Sequence, residues 1–173
     1  MKRKILLVDG YNMIGAWEET RPYFQRNELD AARNTLLQRL SNYAAFEQLE
    51  IICVFDAQYV PGLRQRYDQY QLTVIFTQEE ETADSYIERL AAELNNPLNQ
   101  VEVATSDLNE QWTVFAQGAL RVSARELEKR ACQNRKDLSQ MANQLDLSTP
   151  PLRQMENLGQ LLANPHPQSD SLD

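Results

Sequence analysis

Four aspartates stand where a fold could gather them. Asp9 closes the apolar run Ile5-Leu6-Leu7-Val8 and is followed by Gly10, Tyr11 and Asn12. Asp56 closes Ile51-Ile52-Cys53-Val54-Phe55, and Asp107 follows Val101-Glu102-Val103-Ala104-Thr105 by way of Ser106. Asp84 comes after Leu72-Thr73-Val74-Ile75-Phe76, behind Glu79-Glu80-Glu81 and Thr82. Taken singly, each is explained by turn and helix-cap chemistry, which favours Asp. Asp84 in a first helical turn also complements the helix dipole, worth about 0.3–1 kcal/mol. Taken together they repel: two like charges about 4 Å apart cost roughly 1 kcal/mol in water and about 4 kcal/mol at an effective dielectric of about 20. A folded chain gathers carboxylates by protonating some of them or by binding cations. Carboxylates with an amide and water suit Mg²⁺ or Mn²⁺ rather than zinc. Such ions orient water and stabilise charge developing on phosphorus, so phosphodiester hydrolysis is the chemistry this set suits.

The elements that must position these residues follow from hydrophobic spacing. Short apolar runs at 5–8, 51–55, 72–76 and 101–105 read as strands, and the first two carry no polar alternation, as in a parallel sheet covered on both faces. Between them, Leu29, Ala32, Leu36, Leu37, Leu40, Tyr43 and Ala44 repeat at helical spacing over about 28–47, with Asn27 as expected N-cap. Ala83, Ile87, Leu90, Ala91 and Leu94 form a second helical stripe, with Thr82 as N-cap and Asn95-Asn96-Pro97 as its end. Strand–helix–strand order implies βαβ units, and parallel strands all end on one edge, where open α/β folds bind ligands. Residues 14–22 read as a loop punctuated by Gly15 and Pro22, and 59–70, with Pro61-Gly62, as an exposed loop. A short helix is expected at about 109–117 with Trp112 and Phe115, both read as core residues, and a fifth strand at 119–122. Ser123 and Glu126 form a capping box opening a long helix through Leu127, Ala131, Leu138, Met141 and Leu145. Pro150-Pro151 stops it, 152–163 has the pattern of a short amphipathic segment, and the remainder reads as a disordered tail.

Composition bounds the function. The 173 residues, 42% hydrophobic and 24% charged, suit one soluble domain with an appended segment. No apolar run reaches the about 20 residues of a membrane span, and the N-terminus leaves no room for a signal-peptide core before Asp9. Cys53 and Cys132 make neither a disulfide framework nor a metal spacing, so a cytoplasmic location is expected. The single histidine, His166, lies in the tail, which removes Ser-His and Cys-His nucleophilic systems. No phosphate-binding glycine motif is present. The net charge of −8 opposes strong binding to free nucleic acid. Arg outnumbers Lys, however, and is the better bidentate phosphate ligand.

Five stretches in this order, Val8-Asp9-Gly10-Tyr11-Asn12-Met13-Ile14, Val54-Phe55-Asp56-Ala57, Thr82-Ala83-Asp84, Ala104-Thr105-Ser106-Asp107 and Gln117 to Leu127, closely resemble the YacP-like branch of the NYN-domain proteins, within the PIN-like nuclease superfamily. The resemblance covers about residues 4–130. It implies an α/β PIN-like three-layer fold with a mostly parallel central sheet and a metal-dependent endoribonuclease, associated with the ribosome and cleaving messenger RNA in its decoding site. Carried over, it makes Asp9, Asp84 and Asp107 the metal-binding set, with Asn12 and Asp56 as further members of the site. Arg121, Ser123 and Arg125 match the late motif, structural first and contacting RNA or ribosome second.

The expectation is a nuclease domain over 1–147 and a largely disordered C-terminal extension over 148–173. Its function is Mg²⁺- or Mn²⁺-dependent hydrolysis of RNA, with mRNA on the ribosome as partner and no membrane. Arg64 and Arg66 are candidate phosphate contacts, or simply part of a solvated loop. Two alternatives stay open: a catalytically silent RNA- or ribosome-binding module, and a metal-dependent phosphatase.

Overall fold

Ile5 to Val8 has no polar alternation because both faces of its strand are covered. In the computed structural model, which describes residues 1–57, 67–107 and 118–148, this strand is the centre of a five-stranded sheet. Strand β1 (Arg3–Asp9) pairs in parallel with β2 (Glu50–Phe55) on one side and β4 (Asn99–Ala104) on the other. Outside these lie β3 (Thr73–Phe76) and β5 (Leu120–Val122), also parallel, giving the order β3-β2-β1-β4-β5. Leu6 and Val8 join one core cluster and Ile5 and Leu7 the other, as period-two alternation across a sheet requires.

The first face is covered by α1 (Gly10–Ala16), α3 (Leu29–Glu47) and the start of α5 (Ala124–Ser148). Helix α4 (Ala83–Leu94) covers the second through Ala83, Ile87 and Ala91. The α/β three-layer expectation therefore holds. The chain divides into two units, Met1–Arg135 and Lys136–Asp173, so α5 contributes its first half to one and its second half to the other. Leu127 and Ala131 are buried in the first unit, while Leu138, Met141 and Leu145 are exposed in the second.

Several local expectations need correction. Residues 14–22 are not a loop: α1 starts at Gly10 and α2 (Arg21–Gln25) follows, with Pro22 in its first turn, where a missing N–H costs nothing. Tyr11, Met13, Ile14 and Trp17 are buried at helical spacing, and the Trp17 indole donates to Ala124 O at 3.0 Å. Asn27 does not cap α3; its φ is +59° and the cap position is Glu28, whose carboxylate accepts from Arg26 instead. Within the stretch read as an exposed loop, Tyr67 is buried against Phe76. The capping box of α5 is half formed: Glu126 N donates to Ser123 Oγ at 3.1 Å, but the Glu126 carboxylate pairs with Arg130 one turn on. Thr82 caps α4 as expected, accepting from Ser85 N at 3.2 Å. The helix at 109–117 with Trp112 and Phe115, the tail with His166, and Arg64 and Arg66 lie outside the described residues.

Candidate active site

The strand order reverses beside β1: the chain runs outward to β2 and β3, then returns to place β4 on the other flank. At such a switch point the connections leave in opposite directions and open a crevice at the carboxyl ends of the strands. Asp9 ends β1 and Asp107 lies three residues past the end of β4, so the two flank that crevice. Asp56 follows β2 directly, and Asp84 lies in the first turn of α4, the helix that leads from β3 back to β4. Topology alone thus brings all four to one edge.

Electrostatics shows that they feel one another. The Asp9 carboxyl is pushed up from its ordinary 3.8 to about 6, first by burial, then by the charges of Asp84, Asp56 and Asp107. The Asn12 N–H pulls the other way, donating to Asp9 Oδ1 at 3.3 Å as the cap of α1. Asp84 Oδ1 is also buried. Beneath them, the Cys53 thiol is pushed well up by burial, which agrees with a core role rather than a reactive one.

Asn12 has a second task that the sequence does not announce. Its side-chain Oδ1 accepts from both Ser106 N and Ser106 Oγ, each at 2.6 Å. One residue therefore ties the turn after β1 to the segment carrying Asp107. Asp107 N in turn donates to Thr105 Oγ1 at 3.1 Å. Ser106 has no role in the expected site; its one sign in the sequence is a hydroxyl directly before a post-strand aspartate. Gly10 is forced by packing: a Cβ there would overlap the Phe55 ring, which crosses from the end of β2.

The donor chemistry fits a divalent cation. A cation at the edge would favour the ionised form of Asp9, against the burial and the neighbouring carboxylates that push its pKa up. Among the described residues no three His, Cys, Asp or Glu side chains close on one point tightly enough to hold an ion alone. The basic candidates divide. Arg121, on β5 opposite Val103, and Arg125, in the first turn of α5, are both exposed, whereas Arg64 and Arg66 are outside the described residues.

A doubly wound parallel sheet with carboxylates gathered at its switch point defines an α/β protein of the PIN-like kind. The chain belongs to the YacP-like NYN domain family, whose model matches residues 6–159 and so runs past the span of about 4–130 over which the sequence motifs extend. YacP of Bacillus subtilis (strain 168), described as uncharacterized, is 51% identical over 123 residues, which is 71% of this chain and 72% of that one. A crystal structure of Rae1 (YacP) from Bacillus subtilis matches with a TM-score of 0.77 and 41% identity, over 91% of this chain and 90% of the other. A second crystal structure, of a single-residue variant of that protein, gives 0.74 and 41% over 86% of each chain. NYN domains belong to the PIN-like nuclease superfamily, so this chain is of nuclease-like, RNA-related class.

Proposed function

We propose that the protein is a metal-dependent endoribonuclease that cleaves messenger RNA engaged on the ribosome. The observation that carries this reading is the convergence of Asp84, Asp56 and Asp107 on Asp9 at the sheet's switch point. Asp9, Asp84 and Asp107 are the residues that hold Mg²⁺ or Mn²⁺, directly or through water. A divalent ion bound there supplies positive charge against the developing phosphorane and makes water a better nucleophile. Asp56, just past the end of the neighbouring strand β2, takes a proton or orients water. Asn12 keeps Asp107 in place through Ser106. Arg121 and Arg125, exposed on the β4 side of the same molecule, contact phosphate or ribosome, and Arg64 and Arg66 are further phosphate contacts.

The low count of positive charges favours RNA that is already presented by another particle over free RNA, since Lys and Arg number 17 against 25 Asp and Glu. Both cysteines are free, one buried and one exposed, which supports a reducing cytoplasm. No helix among the described residues is long and apolar enough to cross a membrane.

The test is cleavage of ribosome-engaged messenger with and without Mn²⁺. The expected result is metal-dependent cutting by the unaltered chain and its loss, by at least about a hundredfold, when Asp9→Asn and Asp84→Asn are combined. Full activity in that double variant overturns the assignment. Turnover of a chromogenic phosphomonoester without RNA cleavage points to the phosphatase alternative instead.

A further inference from the structure

The turn that carries Asp9 and Asn12 is braced from below by a buried charge that the proposed chemistry does not use. Arg33, in the second turn of α3, is 2% exposed, although burying a guanidinium is costly unless its donors are satisfied. Its ion-pair partner, Asp30, is 62% exposed and so does not account for the burial. What the buried donors reach is two phenols. Arg33 Nη1 donates to Tyr11 Oη at 2.9 Å, and Arg33 Nε donates to Tyr67 Oη at 3.2 Å.

Both phenols belong to side chains that touch strand ends. Tyr11 stands between Asp9 and Asn12, and its ring meets Phe55, the residue before Asp56, edge-on at 5.1 Å. The Tyr67 ring lies 5.8 Å from Phe76, the last residue of β3, and Phe76 stacks on Phe55 at 5.5 Å. One guanidinium thus fixes, through two hydroxyls and four rings, the carboxyl ends of β1, β2 and β3. A planar group with donors in fixed directions can brace in this way; a lysine ammonium, with one flexible point of attachment, does so poorly.

We infer that Arg33 is a positioning residue for the acidic edge: through the Tyr11 hydroxyl it sets the Asp9–Asn12 turn, and with it the geometry in which the carboxylates meet cation and RNA. The part concerning cation and RNA rests on the reading of the site as a metal-dependent nuclease, whereas the bracing of the turn does not. The consequence is that Tyr11, whose ring alone would fill the core as phenylalanine does, is needed for its oxygen.

The experiment uses the full chain with Arg33→Met, Arg33→Lys, Tyr11→Phe and the combination of Arg33→Met with Tyr11→Phe. Three quantities are read: amide hydrogen exchange at Asn12, whose N–H caps onto Asp9, Mn²⁺ affinity from the free-ion electron resonance signal, and kcat and KM for RNA cleavage. Tyr11→Phe removes one atom and serves if Arg33→Met fails to fold. The expected result is that the Asn12 amide loses protection in both single variants while Leu7 in mid-strand keeps it. Mn²⁺ affinity and kcat then fall by about tenfold with KM unchanged, Arg33→Lys restores little, and the double variant is no worse than the poorer single one. Unchanged exchange at Asn12 in Tyr11→Phe overturns the inference, and so do losses that simply multiply in the double variant or a fall in thermal stability with affinity and kcat intact. If the unaltered chain neither binds Mn²⁺ nor cuts RNA, the nuclease reading fails, and the Asn12 exchange still decides the bracing.

Discussion

Asp9 is a helix cap whose own carboxyl is strongly perturbed. One of its oxygens caps α1, accepting from Asn12 N, yet burial and three neighbouring carboxylates push its pKa from 3.8 to about 6. A carboxyl raised in the folded state has the opposite effect on stability from the usual salt-bridged one. Below about pH 4 the group is protonated in both states and costs nothing; as pH rises toward 6 the unfolded chain ionises first, and stability is lost until the folded group ionises too. Each pKa unit is worth about 1.4 kcal/mol, so the whole cost at pH 7 is about 3 kcal/mol. Urea unfolding of the metal-free chain and of Asp9→Asn, followed from pH 4 to 7, is therefore expected to diverge by that amount in favour of the variant. Added Mn²⁺ is expected to close the gap, because binding to the native state alone stabilises only the chain that keeps the carboxylate. A difference that does not change with pH would remove the electrostatic account. Arg33 marks the limit of sequence reading at this scale. It falls on the same helical stripe as Leu36, Leu37 and Leu40, and a charge on an apolar stripe was the available sign, but its partners Tyr11 and Tyr67 are 22 and 34 residues away.

Elements were legible in proportion to how long and regular their apolar pattern is. The five strands and helices α3, α4 and α5 follow from runs and stripes that packing on two faces of a sheet demands. Helix α1 did not, because Asp9-Gly10 reads as a strand stop and Gly15 as a breaker, whereas in the structure Asp9 is the N-cap and Gly10 is set by the Phe55 ring. The tie from Asn12 to Ser106 was equally hidden, since it joins positions 94 residues apart. The cap of α4 offers the test at this scale. Thr82 Oγ1 accepts from Ser85 N at 3.2 Å and so fixes the turn that contains Asp84. Thr82→Ala is expected to cost about 1 kcal/mol of stability and Thr82→Ser far less, since serine caps as well as threonine. Because the frayed turn bears Asp84, RNA cleavage is expected to fall with Thr82→Ala and to survive Thr82→Ser. Thermal melts beside cleavage rates decide it: equal activity in the two variants would detach the helix start from the site.

For the molecule as a whole, charge and fold pull in different directions. The fold gathers carboxylates at one edge, and the net charge is −8, yet the substrate class is itself a polyanion. Much of the arginine complement is also engaged internally: Arg3, Arg26, Arg33, Arg39, Arg89 and Arg130 each pair with a carboxylate. Arg121 and Arg125 are exposed, and the proposed function gives these two positions to phosphate. Each phosphate neutralised on single-stranded RNA contributes about −0.7 to the slope of log affinity against log salt. Two such contacts give a slope near −1.4, and Arg64 and Arg66, if they also engage, bring it to about −2.8. Binding to free RNA, measured between 50 and 200 mM salt with a divalent ion present, is accordingly expected to be weak and only shallowly salt-dependent. On the proposed function, cleavage of messenger on ribosomes is expected to exceed cleavage of the same free RNA at equal concentration, because a ribosome would hold a strand that this acidic chain attracts weakly. Arg121→Gln with Arg125→Gln is expected to flatten the slope by about 1.4 while leaving thermal stability within about 0.5 kcal/mol. A slope steeper than about −5, or equal rates on free and ribosome-engaged RNA, would mean that the chain draws RNA by its own field, and the dependence on a presenting particle would fall.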